Sequence, residues 1–139
     1  MAKRAKKEKK AKKKEKKTNR KQVRVAMIGA GGRAKGAHYP SLRDIQDAKI
    51  VAVSDLSEER MDAVAKEYDI PGRYTNYVEM IEKEKPDAVY VIMPPYHMFD
   101  IAATVMEMGC GLFIEKPPAV TTEQSRQLAI LGRKNKGLT

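Results

Sequence analysis

The chain has 139 residues, enough for one domain with a real core but small for an enzyme carrying its own substrate domain. Its net charge of +10 is unevenly placed. Met1 to Gln22 hold 13 Lys/Arg against 2 Asp/Glu, leaving 15 basic and 16 acidic residues for everything after them. The rest of the chain is close to neutral, which excludes a broadly basic nucleic-acid-binding surface on the fold.

Met1 to Gln22 consist almost entirely of Lys, Ala, Glu and Arg, a composition that cannot bury a core. A disordered basic tail is expected there. Such a tail could grip RNA, DNA, other anionic polymers or anionic lipid without specificity, in a salt-dependent way, and it has no aromatic residue to stack on a base. Cys110 is the only cysteine, so no internal disulfide or cysteine metal cluster forms, and His38 and His97 are too few and too far apart to argue for a metal site. No stretch has the apolar length of a membrane span and the N-terminus lacks the apolar centre of a signal peptide, so a cytoplasmic location is expected.

The predicted elements begin with an apolar strand, Val23 to Ile28, that stops at Gly29, Gly31 and Gly32. A helix is expected over Lys35 to Gln46, with His38 on it packing or meeting solvent rather than ligating anything. The second strand, Lys49 to Ser54, ends at Asp55. Ser57 reads as the cap of a helix running to about Tyr68, with Arg60 standing where a capping-box Glu would be. Ile70-Pro71-Gly72 breaks that helix. A short third strand is expected over Arg73 to Asn76 and a helix from Tyr77 to about Glu84. A fourth strand, Ala88 to Met93, is ended by Pro94 and Pro95. A helix follows over His97 to Met108, then a fifth strand over Gly111 to Ile114 and a last helix from Thr122 to about Lys134. Strands alternating with helices at this rhythm predict an α/β, Rossmann-type doubly wound parallel sheet of about five strands in the order 3-2-1-4-5. The ligand crevice is expected above strands one and four, where that order reverses.

Gly29-Ala30-Gly31-Gly32-Arg33-Ala34 follows a strand and opens a helix, with Ala34 as the third small residue of a Gly-x-Gly-x-x-Gly/Ala pattern. Backbone without side chains there lets N–H groups approach a pyrophosphate. Asp55, at the end of the next strand, is spaced to accept from an adenosine 2′-hydroxyl and to repel a 2′-phosphate, which favours NAD over NADP. Its other reading is a loop carboxylate serving the next helix N-terminus. Arg33 could neutralise pyrophosphate or tolerate a 2′-phosphate. Glu115-Lys116-Pro117 ends the fifth strand on the same sheet edge, where Lys116 could polarise an oxygen and relay its proton, and Glu115 could fix the lysine or bond the nicotinamide ribose.

Together, Gly29-Ala-Gly-Gly-Arg33, Val51-Ala-Val-Ser-Asp55, Tyr74-Thr-Asn-Tyr77, Asp87-Ala-Val-Tyr90, Met93-Pro-Pro95 and Glu115-Lys-Pro117 make the chain from Val23 onward resemble the N-terminal domain of the Gfo/Idh/MocA oxidoreductases. The resemblance implies NAD(P)-dependent chemistry on the CH–OH group of a sugar, cyclitol or similar polyol. It implies cofactor contacts at the glycine turn, Asp55, Pro94, Pro95, His97, Glu115 and Lys116, and a catalytic role for Lys116. His97 matches the family histidine loosely, and Gly109-Cys110-Gly111 stands where the family usually has Gly-Lys-His. The resemblance implies a C-terminal substrate domain, for which these 139 residues are expected to be too short. The expectation is a basic tail over 1–22 and a truncated nucleotide-binding domain over 23–139, with little activity alone, Lys116 facing water and the fifth strand forming an edge for self- or partner association. The rival expectations are a non-catalytic dinucleotide-binding module and a basic-tailed nucleic-acid or membrane accessory.

Overall fold

The computed structural model describes residues 21–135, so the expected tail lies outside them except for Lys21 and Gln22. Within them, β1 (Val23–Ile28), β2 (Ala48–Ser54), β3 (Gly72–Tyr74), β4 (Ala88–Val91) and β5 (Gly111–Ile114) form one parallel sheet in the order β3-β2-β1-β4-β5. The sheet direction reverses its winding between β1 and β4, as expected from the alternation of elements.

Period-two alternation along β1 divides the core. Val25 and Met27 face one layer with Ile50, Val53, Leu42 and Val64, while Ala26 and Ile28 face the other with Val89, Val91, Met98 and Val105. The first layer is built from a π-helical turn (Ala34–His38), α1 (Tyr39–Arg43) and α2 (Glu58–Glu67). The second holds α3 (Tyr77–Glu84), α4 (Pro95–Glu107) and α5 (Thr122–Asn135).

The single helix expected over Lys35 to Gln46 is corrected. The Tyr39 N–H bonds the Ala34 carbonyl, a five-residue step, before α1 resumes α-helical geometry. Pro40 supplies the reason, because it has no N–H to give the Gly36 carbonyl and so leaves the ordinary ladder one bond short. Asn76 is not in a strand: its side chain accepts from the N–H groups of Val78 and Glu79 and caps α3. The fourth strand stops at Val91, and α4 begins at Pro95 rather than His97, since a first-turn proline loses no hydrogen bond. The Ser57 cap forms as expected, accepting from the Arg60 N–H at 3.3 Å.

Candidate functional site

The turn after β1 is held from three sides. The Gly29 N–H donates to Ser54 O at 2.9 Å, the buried Tyr39 hydroxyl donates to Gly29 O at 3.0 Å, and the Ala30 N–H donates to Asp55 Oδ2 at 2.8 Å. Gly29 has φ +111°, and a Cβ there would stand 2.2 Å from Ile92 O, so only glycine fits. Gly31 and Gly32 are different: a Cβ on either meets nothing within 4 Å, leaving open space before their backbone. Ala34 is fully buried beneath them.

Asp55 serves both the turn and the next helix. Its Oδ1 accepts from the Ser57 N–H at 2.8 Å and from Arg60 Nη2 at 3.1 Å. Burial pushes its pKa up, but the Ser57 and Ala30 N–H bonds and the Arg60 guanidinium outweigh that and leave it below the ordinary carboxylate value. A nearly enclosed, ionised carboxylate therefore sits directly behind the glycine turn.

The end of β5 is tied to the same turn. Glu115 Oε1 accepts from Arg33 Nε at 2.8 Å and lies 2.7 Å from His38 Nε2, while Oε2 accepts from the Lys116 N–H at 3.1 Å. The bonds from His38 and Arg33 bring the Glu115 pKa down to about 2. The His38 ring is wedged against Tyr90 and Phe113, which stack on each other with centroids 4.5 Å apart. Lys116 is exposed, and the Lys116–Pro117 peptide is cis.

A crevice of about 440 Å³ opens between these pieces, bordered by Gly31, Gly32, Arg33, Pro94, Glu115 and Lys116. Of the residues singled out in the sequence, those six share it, whereas Asp55 does not line it and is joined to the glycine turn by the Ala30 N–H. Pro95 instead heads α4, and His97 is exposed with its ring against Tyr96 at 4.4 Å, while Met98 next to it is buried. His38, Tyr39 and Arg60 join this arrangement through Glu115, Gly29 and Asp55, although the sequence does not single them out. His38 and Tyr39 lie after the glycine pattern with no spacing that betrays their targets, whereas Arg60, in the capping-box position, was a visible anomaly. Among the described residues no group of three or more His, Cys, Asp or Glu could hold a metal ion, and no helix is long and apolar enough to cross a membrane.

A glycine turn with open backbone, a carboxylate closing the neighbouring strand and an Arg–Glu pair across the switch point define a dinucleotide-binding α/β domain. Residues 23–138 match the family model of the Gfo/Idh/MocA oxidoreductases, described by its NAD-binding Rossmann fold, and the chain belongs to that family. It is 34% identical over 112 residues to D-glucoside 3-dehydrogenase of Escherichia coli (strain K12), covering 81% of this chain and 32% of that protein. It is 32% identical over 106 residues to scyllo-inositol 2-dehydrogenase (NAD(+)) of Bacillus subtilis (strain 168), covering 76% and 31%. The structure of myo-inositol 2-dehydrogenase from Lactobacillus plantarum superposes with a TM-score of 0.76 at 28% identity, covering 83% of this chain and 34% of that one. The chain thus spans about a third of the length of the relatives it matches.

Proposed function

We propose that this chain is the cofactor-binding part of an NAD(P)-dependent oxidoreductase acting on the CH–OH group of a sugar, cyclitol or related polyol. The observation that carries this reading is the Arg33–Glu115 pair, which joins the glycine turn to the end of β5 and sets Lys116 on the same crevice. The residues present fit a dinucleotide: the space before Gly31 and Gly32 is free, Asp55 is an acceptor, and Arg33 is a cation beside the turn. In this reading the turn's N–H groups and Arg33 hold the pyrophosphate, and Asp55 accepts from the adenosine ribose and disfavours a 2′-phosphate. Pro94 borders the site, and Glu115 bonds the nicotinamide ribose. Bound NAD supplies the hydride acceptor. Lys116 Nζ hydrogen-bonds the substrate oxygen and takes part in moving its proton. The sugar and inositol dehydrogenases among the relatives support the substrate class.

The test is a chimera in which the remaining two thirds of the Escherichia coli relative follow Lys134. NAD⁺ reduction is then followed with glucosides and inositols. The expected result is turnover that Lys116→Ala abolishes. A folded chimera that binds NADH yet turns over nothing, or turns over equally well as Lys116→Ala, contradicts the proposal.

We also infer a division into an arm over 1–22 and a nucleotide-binding unit over 23–139, supported by the charge boundary at Gln22. β5 is an edge strand among the described elements, and its Phe113 is 42% exposed, which supports association through that edge with another copy or a partner. Removing residues 1–22 should abolish any binding to RNA or anionic vesicles while leaving NADH binding intact.

A further inference from the structure

His38 and Arg33 share one oxygen of Glu115 but hold it in different ways. Arg33 Nε stands 2.8 Å from Oε1 on a side chain that is 66% exposed, while His38 Nε2 stands 2.7 Å away on a side chain only 12% exposed. Ionised Glu115 is an acceptor only, so His38 Nε2 carries the proton and donates it. The His38 ring is confined on its other sides. Tyr90 and Phe113 are register partners across β4 and β5 and their rings stack. The His38 ring lies against both, at centroid distances of 6.1 and 5.3 Å.

The proposed function gives Arg33 a second task, on the pyrophosphate, and an ion pair made by an exposed side chain costs little to rearrange. His38 has no such second task, and the aromatic slot keeps its ring directed at Glu115. Glu115 is also tied to its own strand end, its Oε2 accepting from the Lys116 N–H at 3.1 Å. A carboxylate oxygen offers about two acceptor positions, so Oε2 keeps about one for a ribose hydroxyl. A carboxylate fixed before its ligand arrives loses little side-chain freedom on binding it.

From this geometry we infer that His38 is the positioning residue of the nicotinamide end: clamped by Tyr90 and Phe113, it holds the Glu115 carboxylate for a ribose hydroxyl while Arg33 turns to the pyrophosphate. His38 acts through Glu115 and not on the cofactor itself. The inference rests on the roles proposed for Glu115 and Arg33.

The test is titration of the chain with NADH and with ADP, which lacks the nicotinamide ribose, for the wild type, His38→Met, His38→Gln and Glu115→Ala. Thermal melting establishes that each sample is folded. Methionine and glutamine have the same length and both fill the aromatic slot, but only glutamine carries an N–H for Glu115. His38→Met is expected to raise the NADH Kd about tenfold and leave the ADP Kd in place, and His38→Gln to restore most of the loss. Should His38→Met not fold, His38→Leu takes its place. A merely structural role would weaken both ligands together, with no rescue by glutamine. That result, or equal NADH binding by wild type and His38→Met while Glu115→Ala weakens it, overturns the role of His38 and leaves the cofactor reading standing. If Glu115→Ala leaves NADH binding unchanged, the ribose role of Glu115 falls and the inference with it. If folded wild type binds no NADH, the inference and the cofactor reading are both overturned.

Discussion

His38 Nε2 lies 2.7 Å from Glu115 Oε1, across 77 residues of sequence, joining the π-helical turn after β1 to the end of β5. The contact, with Arg33 on the same oxygen, holds the Glu115 carboxylate in its charged form.

That charge gives the fold a pH dependence with a definite sign. The Glu115 pKa is about 2 in the folded chain against an ordinary value of 4.5, so the unfolded chain takes up the proton first as pH falls. The stabilisation is complete above the ordinary value and is lost as pH falls through about 2. Glu115→Gln should flatten the dependence of Tm on pH across that window, leaving the slope contributed by other carboxylates. Melting curves of both proteins on an acid series measure this, and identical slopes would refute it.

Gly29 and Gly31 should separate folding from binding. At Gly29 an alanine Cβ would meet Ile92 O at 2.2 Å with φ +111°, so Gly29→Ala should cost at least about 2 kcal/mol in urea unfolding. At Gly31 the Cβ meets nothing within 4 Å, so Gly31→Ala should leave the urea midpoint nearly in place. The added methyl would instead stand in the crevice, and NADH binding should weaken. Equal stability losses in the two variants would contradict this division.

Tyr39→Phe tests the support behind the turn. The Tyr39 ring is fully buried, its hydroxyl donates to Gly29 O, and burial raises the phenol's pKa. Removing the hydroxyl leaves a carbonyl without that donor, and a loss of about 1–2 kcal/mol is expected by denaturant titration. A change near zero would mean that the carbonyl is satisfied otherwise.

Much of this arrangement was legible in the chain. The apolar runs Val23–Ile28 and Gly111–Ile114 are the observed strands to the residue, and Tyr77–Glu84 is the observed helix. Glycine spacing and the position of Asp55 after a strand were enough to locate the turn that ends β1 and the carboxylate that ends β2, because both follow from local backbone needs. Pro40 inside an otherwise helical run does not reveal a five-residue step, so the π-helical turn is not legible in the sequence. The partners of Glu115 were also missed, since a contact spanning 77 residues depends on how layers pack and leaves no periodic trace. Asp55 carried two readings, ribose ligand and helix-serving carboxylate. The bonds to Ser57 and Ala30 realise the helix-serving role and add a brace on the turn.

Calorimetric titration of the folded chain with NADH, beside Asp55→Asn, tests the central claim most directly. Asparagine keeps one oxygen for the turn but loses the charge and an acceptor position, and melting curves establish that the variant is folded. The expected result is saturable NADH binding weakened about tenfold or more by the substitution. No NADH binding by the folded wild type, or the same affinity with asparagine at position 55, would contradict it.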